Sequence, residues 1–217
     1  MIPVTDIRLD APLAAPLALF PLKLVLFPGA LLHLKVFEAR YLDLIAECMR
    51  TGQSFGVVCL RQGSEVGHNS EALRVEDVGV LAGLEEVNAE HAGILSVRCL
   101  GAQRFRLQAP PTQRGNGLWT APVQPIPPDP PRAPGPAVLP TVTALAEAIR
   151  KLQAQADDQA PFALPYRLND AGWVANRWCE LLPISLAAKQ KLMALEDPVI
   201  RLSLVDGYLR DKKVLIG

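Results

Sequence analysis

With 217 residues the chain can hold one large domain or two small ones, and it should bury about 70% of its unfolded surface. Half of its residues are apolar and a fifth are charged, which excludes a disordered chain. Lysine plus arginine (22) equals aspartate plus glutamate (22), so the basic surplus of a protein that neutralises many phosphates is missing. That balance argues against nucleic acid as the main partner.

The stretch from Ala11 to Leu32 is apolar enough to be tested as a signal or membrane segment. Pro12, Pro16, Pro21 and Pro28 break a helix there, and Lys23 interrupts the apolar run. Asp6 and Asp10 precede it where a signal peptide carries basic residues. The expectation is a cytoplasmic protein without a membrane partner.

Leu17 to Leu22 and Leu31 to Phe37 read as strands joined across Pro28-Gly29. Proline fixes φ at the first central position of a turn, and glycine supplies the conformation other residues avoid at the second. His33 interrupts the alternation of the second strand. A helix then runs from Glu38 to Arg50, with Tyr41, Leu42, Ile45, Cys48 and Met49 on one apolar face. Glu38 in its first turn and Arg50 in its last suit the helix dipole, and Thr51-Gly52 ends it.

Further strands are predicted over Ser54–Arg61, Val75–Val87, Ile94–Leu100, Gln103–Gln108 and Leu118–Ile126. A polar loop, Gln62–Glu71, follows the first of these, and Gly101-Ala102 reads as a turn between the third and fourth. Six or seven short strands with one early helix predict a closed or nearly closed β-barrel, with the helix across one mouth. Strand parity puts Phe105 in the core and Arg104 with Arg106 on the other face, where an arginine can meet Glu38 or Asp43.

Pro127 to Pro136 carries six prolines in ten residues and reads as a semi-rigid connector. The expected division is therefore a barrel over 1–126, a connector over 127–140 and a helical bundle over 141–217, an α+β chain. Thr141 is read as the cap of a helix bearing Val142, Leu145, Ile149 and Leu152. Asn169-Asp170 opens a second, with Trp173, Val174, Arg177, Trp178, Leu181 and Leu182, and Ser185 a shorter third. Asp197 as N-cap and Pro198 at the first helical position open the last, whose apolar stripe is Val199, Leu202, Val205 and Leu209.

Reactive constellations are sparse. The four cysteines have no Cys-x-x-Cys pair and the three histidines are scattered, so neither a metal site nor a cofactor is expected. Ser185 and Lys189 stand four apart on a helix, but a capping hydroxyl is committed to backbone N–H groups and makes a poor nucleophile. Glu85-Glu86, adjacent on a strand, should point to opposite faces, and Asp157-Asp158 reads as solvated. Trp119, Trp173 and Trp178 are read as core anchors.

Three blocks carry a family resemblance: Phe20 to Tyr41 with its Phe27-Pro28-Gly29 turn, Leu100 to Leu107 with its glycine-x-x-arginine-phenylalanine, and Leu181 to Gln190 followed by Leu195 to Leu202. In this order they make the chain similar, from Leu17 to Arg210, to the N-terminal substrate-binding domain of Lon proteases. The resemblance implies a PUA-like β-barrel followed by a helical subdomain. It also implies a non-enzymatic module that recognises unfolded or apolar polypeptide segments, as an adaptor or regulator working with a protease. The G-x-x-x-x-G-K-[ST] phosphate loop of an ATPase is absent from the sequence, and the serine-lysine peptidase domain has no counterpart. Candidate contact residues are Phe27, His33, Tyr41 and Arg104, in a cleft between barrel and bundle or along an open barrel edge. The rival reading is an RNA-binding module with Arg98, Arg104 and Arg106 on phosphates; steep salt dependence would mark it.

Overall fold

The computed structural model describes residues 2–3, 16–62, 73–155 and 161–214. The chain divides into two compact units, Met1–Pro127 and Pro128–Gly217. Among the described residues the first holds ten strands and one helix and the second four α-helices and a 3-10 turn, an α+β composition. The predicted loop Gln62–Glu71, apart from its first residue, and Asp157-Asp158 lie outside the described residues.

In the first unit the strands are β1 (Ile2–Pro3), β2 (Leu17–Leu22), β3 (Leu31–Val36), β4 (Phe55–Gln62), β5 (Arg74–Val75) and β6 (Val78–His91). They continue as β7 (Ile94–Leu107), β8 (Thr112–Gln113), β9 (Trp119–Ala121) and β10 (Val123–Pro125). Hydrogen bonding orders them β10-β7-β6-β4-β2-β9-β8, with β3 on β7, β1 on β6 and β5 on β4. Among the described residues no ladder joins β8 to β10. Of the closed or nearly closed barrel expected from the strand count, the large multi-stranded sheet is present and full closure is not.

The turn at Phe27–Ala30 is as read: the Ala30 N–H donates to the Phe27 carbonyl at 3.0 Å, and Gly29 takes a φ of 77°. Gly101, however, is no turn residue. β7 runs through it, and the turn between β6 and β7 lies instead at Gly93, with φ 81°. Gly101 is small because the Phe27–Ala30 turn lies against it: Gly29 N–H donates to the Gly101 carbonyl at 2.7 Å, and Gly101 N–H to the Ala30 carbonyl at 2.8 Å. A Cβ there would stand 2.4 Å from the Phe27 carbonyl oxygen. The predicted strand Leu118–Ile126 is likewise divided, at Pro122, into β9 and β10.

Phe105 is fully buried, as strand parity requires, and its ring fills the space left by Gly56 on β4 and Gly79 on β6. It belongs to a cluster with Leu17, Leu19, Val58, Leu60 and Leu81. The helix α1 (Ala39–Thr51) buries Tyr41, Leu44, Ile45 and Cys48, so Leu44 takes the place given to Met49, which is exposed. Tyr41 stacks on Phe20 with ring centroids 3.9 Å apart. Glu38 is the N-cap and not a first-turn residue, and Gly52 closes the helix in the left-handed conformation.

In the second unit, a 3-10 turn at Pro136–Val138 leads into α2 (Leu139–Gln155). Thr141 is therefore inside the helix and not its cap; its hydroxyl donates to Asp206 at 2.5 Å and its carbonyl accepts from the Trp178 indole at 3.1 Å. α3 (Ala171–Leu181) is capped by Asp170, α4 (Leu186–Ala194) by Ser185, and α5 (Pro198–Asp211) by Asp197, each through side-chain oxygen to backbone N–H. On α5 the stripe is displaced from the reading: Val199 is exposed and Arg201 is buried beside Leu202, Val205 and Leu209.

Arg201 organises this unit. Its guanidinium binds both oxygens of Asp129 at 2.6 and 3.3 Å, the Asn176 amide oxygen at 3.1 Å, the Leu192 carbonyl at 2.9 Å and the Leu195 carbonyl. The last two lie at and just past the C-terminal end of α4, where a helix runs short of N–H partners for its carbonyls. The proline-rich stretch is thus tied down at Asp129, and again where Ala171 N–H donates to the Arg132 carbonyl at 2.7 Å.

Two outcomes follow. Gly101→Ala forces the turn away from β7 and should cost about 2 kcal/mol in denaturant unfolding, with Gly115→Ala, whose Cβ meets nothing, as the near-neutral control. Asp129→Asn leaves the Arg201 charge in the interior without its counter-ion and should cost about 2 kcal/mol by the same measurement.

Candidate functional site

Beside β5 the first unit opens a cleft of about 570 Å³. Leu73, Val75 and Leu107 line it, with Ala109, Pro110 and Pro111 along one wall and Arg61, Arg74, Asp77 and Gln108 at the polar positions. β5 makes a two-residue ladder with β4, at Val75–Leu60 and Arg74–Gln62. The Leu107 N–H is held by the Asp77 carbonyl and the Gln108 N–H by the Pro122 carbonyl, which fixes the backbone around the opening. Leu73 and Leu107 also pack against the Phe105 cluster, so the apolar lining is the outer surface of the core. Arg61 is engaged by Glu76 at 2.5 Å. Such a hollow suits an apolar side chain entering from an extended chain.

The four residues expected to form a contact surface are not brought together on one. Phe27 is 0% exposed, Tyr41 3% and Arg104 3%, so these three build the scaffold. Arg40 lies over the Tyr41 ring at 4.7 Å, pairs with Glu38 at 2.9 Å and donates to the Gly117 carbonyl. His33 is exposed and keeps the alternation of β3, in which Leu32, Leu34 and Val36 are buried, so it does not interrupt the pattern. Burial separates Arg104 from Arg106, which is exposed. Of the three tryptophans, Trp178 is buried, while Trp119 and Trp173 are half-buried. The cleft residues were missed because their signal is distributed: Leu73, Leu107 and Pro110 are distant in sequence and ordinary singly.

Glu85 and Glu86 also depart from strand parity. The β6–β7 ladder shifts between Leu84 and Glu86, and both carboxylates reach Arg98, at 3.2 and 3.0 Å. A bulge inserts one residue, so the alternation on which the expectation rested fails there.

Nucleophiles are poorly placed. All four thiols are buried; burial pushes Cys48, Cys99 and Cys179 up to about 12 and raises Cys59 as well. Ser185 Oγ accepts the Ala188 N–H at 3.2 Å and Lys189 Nζ donates to the Glu180 carbonyl at 3.1 Å, so this serine and lysine serve the backbone. Burial pushes Glu180 up to about 7 against the pull of Arg177, whose guanidinium contacts it. Among the described residues no three His, Cys, Asp or Glu side chains converge as a metal site, and no helix is long and apolar enough to cross a membrane.

The cleft beside β5 offers an apolar floor of Leu73, Val75 and Leu107 with polar groups at its margin. The chain belongs to the family described as the ATP-dependent protease La (LON) substrate-binding domain, which it matches over residues 16–211. It is similar to the Lon N-terminal domain protein from Xanthomonas campestris, at 32% identity and a TM-score of 0.70, covering 88% of this chain and 97% of that one. The N-terminal domain of the Mycobacterium avium complex Lon protease shares the fold at 16% identity and a TM-score of 0.60, covering 90% and 98%. No curated protein matches the chain. The matched domain is the non-catalytic, substrate-binding part of Lon.

The thiols supply a direct check. A thiol-specific chromogenic reagent at neutral pH should leave the native chain unreacted over the time in which the denatured chain reports four cysteines.

Proposed function

We propose that this chain recognises exposed apolar or unfolded segments of other proteins without chemically changing them, and serves as an adaptor or regulator in proteolysis. Membership in the LON substrate-binding family supports a protein-substrate role, and the cleft beside β5 is the observation that carries its location. In this reading an apolar side chain of the bound segment rests on Leu73, Val75 and Leu107 while Arg74 and Asp77 meet its flanking main chain. Affinity then comes from buried apolar area, at about 25 cal/mol per Å². The residues first expected to touch the ligand act as its support: Phe27 and Tyr41 hold the sheet and α1 in place. The proposed organisation keeps a PUA-like barrel over 1–126 and a helical bundle over 141–217; the proline-rich connector over 127–140 is tied to the second unit at Asp129 and Arg132 and enters α2 at Leu139.

RNA binding on the same fold has less in its favour. Arg98 is engaged by Glu85 and Glu86, Arg61 by Glu76, Arg104 is buried, and the chain carries no net charge.

The test uses a reduced, alkylated and permanently unfolded model protein, titrated against the full chain at low and high salt. Its affinity should change less than twofold between about 50 and 200 mM salt, where an interface with six or more phosphate contacts would lose about a thousandfold. Ala109→Glu, at an exposed position of the cleft wall, should weaken binding about tenfold with unfolding stability unchanged. Undiminished binding by that variant places the contact elsewhere.

A further inference from the structure

The strand β3 is paired with β7 along its whole length and, among the described residues, with no other strand. Its ladder runs from Leu31 opposite Leu100 to Val36 opposite Leu95 without a shift, whereas the adjoining β6–β7 ladder shifts three times. Because the Gly101 N–H binds the Ala30 carbonyl, the residues in step with Ala30 (Leu32, Leu34 and Val36) direct their main chain to β7. The N–H and C=O groups of Leu31, His33 and Lys35 therefore turn to the open side. Sheet edges are ordinarily blunted by shortness, a bulge, a proline or an outward lysine. β3 has six residues, no bulge and no proline, and its Lys35 is drawn back over the sheet to Glu90 at 3.1 Å.

Charge decides what this edge would accept. Lys35 lies on the edge itself, whereas Arg98, on the strand behind it and opposite His33, is engaged by Glu85 and Glu86. The acids that balance them, Glu85, Glu86 and Glu90, all stand on β6, two strands inward. A strand added at the edge meets Lys35 first. The Lys35 ammonium is well exposed, so its pairing with Glu90 is weak and exchangeable. Pairing with β3 of a second copy would set Lys35 and its symmetry mate on adjacent strands, and like charges across strands repel. On the opposite face the buried Leu32, Leu34 and Val36 continue an apolar layer.

We propose that the open edge of β3 binds an extended polypeptide segment as an additional strand, with acidic residues on the His33–Lys35 face alternating with apolar residues on the other. Main-chain hydrogen bonds to Leu31, His33 and Lys35 hold the segment, and its carboxylates select it over basic or uncharged ones. This surface stands apart from the cleft beside β5 and does not depend on it.

The probe is a labelled peptide of alternating glutamate and valine, compared with its lysine-valine counterpart on the full chain, with amide hydrogen exchange read residue by residue. The glutamate peptide should bind about tenfold tighter than the lysine peptide, and Lys35→Glu should reverse that order. The amides of Leu31, His33 and Lys35 should slow on binding while those of Leu32 and Leu34 stay as they were. Methylating alternate peptide nitrogens should abolish binding, and Ala109→Glu in the cleft should leave it intact. Failure to bind, equal affinity for the two peptides, or binding without protection of these three amides overturns the proposal.

Discussion

The meeting of the Phe27–Ala30 turn with Gly101 is the constraint on which the first unit rests. Two backbone hydrogen bonds, at 2.7 and 2.8 Å, join the turn to the middle of β7 and so set the register of everything that follows it. From that point β3 is laid on β7 without a shift, and α1 begins within a few residues of the strand's end. The remaining half of β7 pairs with β10 and presents Phe105 to the gap between Gly56 and Gly79. One glycine thus settles both the path of the strand and the depth of the core beneath the cleft. Its role is close approach, since no side chain fits where a carbonyl oxygen lies 2.4 Å from the Cβ position.

The two units are held by different physics. In the first, an apolar cluster around Phe105 and the stack of Phe20 on Tyr41 do most of the work. In the second, polar groups are drawn into the interior: Arg201 gathers Asp129, Asn176 and the last carbonyls of α4, and Thr141 joins Asp206 to the Trp178 indole. A buried polar group must find its partners or destabilise the fold, which makes such networks specific about geometry. Arg177, also fully buried, adds a contact with Glu180 and lies over the rings of Phe162 and Trp173.

Local chemistry was legible in the sequence and long-range packing was not. The caps Asp170, Ser185 and Asp197 and the Pro28-Gly29 turn were readable because an oxygen accepting a nearby N–H, or a φ fixed by a ring, acts within four residues. Gly101 was misread because glycine serves turns and close approaches alike, and its partner lies some seventy residues earlier. Arg201 was invisible for the same reason, with Asp129 seventy-two residues away. The adjacent Glu85 and Glu86 defeated the alternation rule because a bulge leaves no mark in composition. The cleft escaped notice since it is assembled from separate segments, and the contact residues first suggested were conspicuous because they are scaffold.

The union of Arg201 with Asp129 also limits how the molecule can be cut. Its acidic half belongs to the run of prolines, ahead of every helix in the second unit. A fragment trimmed to the helices alone would strand a guanidinium in a dry interior, so any soluble excised piece has to begin upstream of residue 129. What looks like a disposable tether is, in electrostatic terms, part of the helical body.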